Sequence, residues 1–219
     1  MRINYVSAIT AIVLLVATIG VMAADPPVGI EQNRSALINE RAPEINLPGV
    51  AGTNRSLADF KGKYVVLEWV DFTCPFVRKH YDSKNIQNLQ ADLRQQGVVW
   101  LSISSVRSGA DGYLSGKTLR LALAKEKSEA ADYLTDSTGA AQRLFGVTIT
   151  PTVVLIDPDG VVRYFGAIDD QPTDNPANIA KATNHLRAAF EAEKSKLHPN
   201  PNGTLAYGCP APTIGRAEH

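Results

Sequence analysis

Cys74 sits in the run Val70-Asp71-Phe72-Thr73-Cys74-Pro75-Phe76-Val77, a setting that points to a reactive thiol. Residues 64–70 form a short apolar, β-branched run, the pattern of a buried strand. Residues 76–96 carry Val77, Tyr81, Ile86, Leu89 and Leu93 as an approximate helical stripe, and Gly97 stands where such a helix stops. Cys74 therefore falls at the carboxyl end of a strand and the start of a helix. Reactive groups of open α/β sheets gather at such strand ends. A helix start also offers unpaired N–H groups and positive partial charge, which stabilise a thiolate. Pro75 suits the first helical turn because it has no N–H to lose, and Arg78 adds positive charge if it turns toward the sulfur. These are the conditions that make a cysteine a nucleophile. The plainer reading is an inert cysteine packed as a small hydrophobe.

The other thiol is Cys209, in Tyr207-Gly208-Cys209-Pro210. What the two do together depends on the compartment. Arg2 is followed by an apolar stretch to Met22, and Val21-Met22-Ala23 supplies small residues ahead of Asp25-Pro26-Pro27. That is the pattern of a secretory signal peptide over residues 1–23, cleaved after Ala23 and leaving no stable membrane anchor. The expected location is periplasmic or extracellular, where a disulfide persists. With two cysteines in 219 residues, pairing of Cys74 with Cys209 is then the natural expectation. Two roles stay open. Cys209 is either a resolving thiol that attacks a mixed disulfide or sulfenic acid on Cys74, or half of a permanent clasp closing a long loop, worth roughly 5 kcal/mol in the chain-entropy model.

Composition removes other classes. Lys+Arg and Asp+Glu are both 22, so no basic excess exists to neutralise nucleic-acid phosphates. Two cysteines exclude a four-thiolate zinc site. His80, His185, His198 and His219 share no metal-ligand spacing and read as solvated helix or tail residues. Neither a metal nor an organic cofactor is called for, because sulfur itself carries the electrons.

The elements that must position the sulfurs follow from periodicity. Residues 24–41 read as a poorly structured lead-in, 42–196 as one patterned domain, and 197–219 as a tail without a pattern of its own. Strands are expected at 64–70, 98–104, 133–134, 152–156 and 161–165, with helices at 76–96, 118–127, 138–145 and from Asn175-Pro176 onward. Asp157-Pro158-Asp159-Gly160 is hairpin chemistry, so the last two strands are antiparallel. Strand and helix alternation before that predicts parallel, right-handed crossovers in a layered α/β domain.

The run VVLEWVDFTCPFV at 65–77 resembles the strand and active-site turn of exported thioredoxin-like proteins, and the stretch from Ala42 to about Lys196 resembles the redoxin group of the alkyl-hydroperoxide-reductase/thiol-specific-antioxidant superfamily. Ser56-Leu57-Ala58-Asp59-Phe60-Lys61-Gly62-Lys63 and Thr150-Pro151 support it. The resemblance implies a thioredoxin-like fold, with a central mixed sheet flanked by helices and a redoxin-type insertion. It also implies a cis Thr150–Pro151 bond facing Cys74, with Thr73, Pro75, Arg78 and Thr150 as supporting residues. Glu68 is then either a buried proton acceptor near the sulfur or a plain edge residue. The activity implied is thiol–disulfide exchange or thiol-dependent reduction of a peroxide. Its substrate is a disulfide, an oxidised thiol or a peroxide, and a dithiol donor restores the thiols. Two departures qualify this. Val77 replaces the second cysteine of thioredoxins, so a neighbour three residues on cannot resolve Cys74. Leu67, Asp71 and Pro151 stand where peroxiredoxins carry their signature proline, Thr/Ser and peroxide-binding arginine. A third reading is a non-catalytic binding domain with a structural disulfide.

Overall fold

The computed structural model describes residues 37–211. The signal-peptide expectation lies outside them.

Central to the fold is β3 (Val65–Trp69), whose five residues are all buried. It takes the middle of a five-stranded sheet because both its faces are apolar enough to be covered. To one side it pairs in parallel with β4 (Val99–Ser104), which pairs in parallel with β5 (Asp132–Thr135). To the other it pairs antiparallel with β7 (Thr152–Ile156), which forms the expected hairpin with β8 (Val162–Gly166). The hairpin turn is held by the Asp157 carboxylate, which accepts from the Asp159 and Val161 amides at 2.9 Å each. A small antiparallel pair, β1 (Asn46–Pro48) and β2 (Asn54–Ser56), precedes the sheet, and Ser56 caps a short 3-10 turn at Leu57–Phe60.

Alternation along β3 sorts two core layers. Val66 and Val70 face a layer with Val77, Tyr81, Ile86, Leu89, Leu93, Leu186 and Phe190, contributed by α1 (Pro75–Asp82), α2 (Asn85–Gln95) and α5 (His185–Lys194). Val65, Leu67 and Trp69 face the other layer, with Ala141 and Phe145 of α4 (Ala140–Phe145). The insertion supplies α3 (Gly116–Glu126) and β5 between β4 and the proline.

Four expectations need correction. The single helix over 76–96 is two. The Ser83 hydroxyl donates to the Lys79 carbonyl at 2.7 Å, satisfying the end of α1, and Lys84 takes a left-handed φ of 61° before α2 begins. The helix begun by Asn175-Pro176 is a 3-10 turn (Pro176–Lys181), and a second cap, Asn184, starts α5 by accepting from the Arg187 amide at 2.8 Å. The end of the lead-in is ordered against β8, where Val162 donates to the Glu40 carbonyl at 2.9 Å and accepts from the Asn39 amide at 2.8 Å. His80 is fully buried in α1, not solvated.

Candidate active site

The chain leaves β3 through a turn that the Asp71 carboxylate ties down, accepting from the Thr73 amide at 2.9 Å and the Thr73 hydroxyl at 2.7 Å. That turn delivers Cys74 as the N-cap of α1, in extended backbone, with Pro75 at the first helical position. The side chain of Cys74 makes no capping bond, so the sulfur is free to point elsewhere. Thr73 is exposed at the lip of a cleft of about 320 Å³ that Phe72, Arg78, Gly112, Leu114 and Glu126 also line. Arg78 does not turn toward the sulfur. Its guanidinium pairs with Asp82 and, at 2.8 Å, with Glu126 on α3.

Thr150 and Pro151 lie opposite Cys74, joined by a cis peptide bond. The Cys74 Sγ is 3.5 Å from the Thr150 carbonyl oxygen. It is also bonded to Cys209, with Cα atoms 5.9 Å apart. As half of a disulfide the sulfur has no proton to donate, so its approach to Thr150 is packing; a reduced thiol in that place would donate to the same oxygen. Cys209 arrives on β9 (Cys209–Pro210), paired antiparallel with β6 (Ile149–Thr150), so that Cys209 faces Thr150 and Pro210 faces Ile149. Beyond it the Ala211 amide donates to the Thr148 carbonyl at 2.8 Å, and Ala211 is buried in the second core layer. Gly208 is required by this approach. It has φ +146°, and a Cβ there would stand 2.0 Å from the Thr150 carbonyl oxygen.

Glu68 is not an edge residue: it lies on the central strand and is fully buried. Its carboxylate accepts from Trp100 Nε1 and Ser102 Oγ at 2.9 Å each, from the Tyr81 hydroxyl at 3.1 Å and from Gln90 Nε2 at 3.5 Å. Burial pushes its pKa up to about 6, although all four donors pull the other way. His80 shows the opposite sign. Burial lowers its pKa to about 4, so the ring stays neutral, with Nδ1 2.7 Å from the Asn85 side-chain nitrogen Nδ2.

The structure thus brings together Cys74, Cys209, Thr150, Pro151, Pro75 and Thr73, and holds Arg78 and Glu68 in contacts of their own. What periodicity missed is how the tail is seated. The Thr204 hydroxyl meets the Tyr164 hydroxyl at 2.6 Å and accepts from the Ala167 amide at 3.0 Å. Tyr207 reaches Lys79 on α1 and Asp169 after β8. These contacts bridge residues 37 or more apart, where spacing carries no signal. The one available cue was Gly208 directly before Cys209, which marks a close backbone approach.

Among curated proteins no relative matches the sequence. The chain is similar in structure to an uncharacterized conserved protein from Geobacillus kaustophilus, with TM-score 0.71 at 21% identity over 82% of this chain and 94% of that one. A hypothetical protein from Sinorhizobium meliloti is similar with TM-score 0.68 at 22% identity, over 81% and 96%. The thioredoxin domain of a thiol-disulfide oxidoreductase from Bacteroides vulgatus has TM-score 0.49 at 20% identity, over 66% and 96%. A sequence model of the AhpC/TSA family matches residues 38–165, more than half of the chain and the whole stretch from the ordered lead-in through β3, Cys74 and Pro151 to β8. The fold is thioredoxin-like, and the chain belongs to the AhpC/TSA family.

Proposed function

We propose that the chain is an exported thiol–disulfide oxidoreductase in which Cys74 is the nucleophile and Cys209 the resolving thiol. The observation that carries this is the Cys74–Cys209 disulfide at the N-cap of α1, against Thr150 and Pro151, in a chain whose Val77 removes the usual local partner. In the reducing direction the Cys74 thiolate attacks a substrate disulfide, forming a mixed disulfide and releasing one substrate thiolate. The Cys209 thiolate then attacks the Cys74 sulfur and releases the second. A dithiol donor reduces the resulting bond and is itself oxidised. Cys74 is 2% exposed while Cys209 is half-buried, so the donor meets Cys209 first. Attack there expels Cys74 as a thiolate at a helix N-terminus, the better leaving group of the two.

Export rests on the residue pattern of the first 23 positions and places the bond in an oxidising compartment. The test is a Cys209→Ser variant offered a model protein disulfide. A stable mixed disulfide on Cys74 is expected; a variant that traps nothing, or that turns over like the parent, contradicts the assignment. A specific observation favours one rival, a permanent clasp on a binding domain: the near-complete burial of Cys74.

A further inference from the structure

We infer that Tyr207 is a positioning residue that keeps Cys209 beside Cys74 when the disulfide is open, through a buried anchor on Lys79 and Asp169. The inference rests on the proposed role of Cys209 as resolving thiol. It concerns what happens between the two half-reactions, when no covalent bond holds the tail.

The geometry is that of a two-rung ladder. Lys79 lies on α1, five residues after its N-cap Cys74, and Cys209 and Tyr207 are two apart on the tail. Sulfur joins the first of each pair. The second pair is joined by Lys79 Nζ donating to the Tyr207 hydroxyl at 3.0 Å, with the ammonium 5.1 Å from the Tyr207 ring centre. The Tyr207 hydroxyl donates in turn to the Asp169 carboxylate, which also accepts from Lys79 at 3.2 Å and from the Gln171 amide at 3.0 Å. Lys79 donates once more to the Gln171 carbonyl at 2.6 Å. The side chains of Lys79 and Asp169 are 0% and 1% exposed, so they are a fully dehydrated ion pair whose hydrogen bonds are not exchanged for water. Phe76, two residues from Cys74, packs edge-on against the Tyr207 ring. None of these contacts involves sulfur, so reduction leaves them in place.

A resolving thiol on an untethered tail would act only at the concentration its linker allows, and a seated one acts at a much higher effective concentration. The anchor therefore sets the rate at which a mixed disulfide on Cys74 closes to Cys74–Cys209. It should not affect the first attack, which Cys74 makes alone.

The experiment mixes reduced, full-length mature protein with excess dithiobis-nitrobenzoate. The first coloured thiolate leaves when Cys74 attacks; the second leaves in a concentration-independent step when Cys209 attacks the Cys74 sulfur. Tyr207→Phe keeps the ring and removes the hydroxyl. It is expected to slow the second phase about tenfold, with the first phase unchanged. A second phase as fast as in the parent overturns the inference while the proposed function stands. A parent protein with no second phase overturns both. Should the variant not fold, hydrogen exchange in the reduced parent decides: the Ala211 amide is expected to stay protected, and exchange at the rate of a free peptide overturns the inference.

Discussion

Cys209 faces Thr150 across the two-residue antiparallel pair of β6 and β9, so the backbone of the residue preceding Pro151 carries the partner sulfur to Cys74. The tail thus does by strand pairing what a second cysteine in α1 would do by helical spacing. The consequences are separable by mutation.

Gly208 is the tightest point of that pairing. Alanine there adds a Cβ 2.0 Å from a backbone oxygen, at a φ of +146° that L residues rarely adopt. Strain of about 1–3 kcal/mol is expected, released by lifting β9 away from β6. Gly208→Ala should lower the midpoint of chemical denaturation in the oxidised protein and make its disulfide easier to reduce. An unchanged redox equilibrium would separate β9 pairing from the bond.

Two buried groups give opposite pH dependences in overlapping windows. Glu68 has its pKa raised from 4.5 to about 6, so between those values the folded state holds a proton that the unfolded state has lost; stability falls as pH rises through the window, by about 2 kcal/mol. His80 has its pKa lowered from 6.5 to about 4, so the unfolded state binds the proton first; stability is lost as pH falls through that range, by about 3 kcal/mol. Measured from pH 4 to 7, Glu68→Gln should steepen the loss of stability toward acid. His80→Asn should remove that loss and leave a decline toward neutral pH.

Arg78 is committed to Asp82 and Glu126 rather than to sulfur. Arg78→Gln should therefore cost about 1 kcal/mol or less, since the guanidinium is partly exposed. The rate at which Cys74 attacks an alkylating agent in the reduced protein should stay nearly constant. A marked fall in that rate would restore an electrostatic role for Arg78 at the sulfur.

Peroxide should be a poor substrate. Leu67 is fully buried, the Asp71 carboxylate is occupied by Thr73, and by the resemblance Pro151 stands where peroxiredoxins carry a guanidinium, so these three positions supply no donor to the oxygens on which charge develops. Reduced Cys209→Ser protein should react with hydrogen peroxide no faster than a free thiol of equal thiolate content, as followed by sulfenic-acid trapping. A faster reaction would return the chain to the thiol peroxidases.

Much of this was legible in the sequence because its signal is local. The buried run ending at Trp69, Pro75 after Cys74, and the Asp157–Gly160 turn each fix backbone within a few residues, and the parallel and antiparallel pairings follow from their connections. Pairing of Cys74 with Cys209 follows from the cysteine count and the compartment that the residue pattern leads one to expect. The breaks at Lys84 and Ala182 were not legible, because side-chain caps from Ser83 and Asn184 outweigh a stripe that continues through both. Burial of His80 depends on what α1 packs against. The seat of the tail depends on Lys79, Asp169 and Tyr207 meeting across 128 residues of chain, which no periodicity records.

The proposed function requires Cys74–Cys209 to be a bond that opens and closes in use. Its reduction potential, measured by equilibrating the mature protein in graded thiol redox buffers and trapping free thiols, tests that directly. A bond that opens near about −200 mV is the expected result for a redox-active pair. A bond that stays closed below about −300 mV would mark a structural clasp and contradict the proposed function.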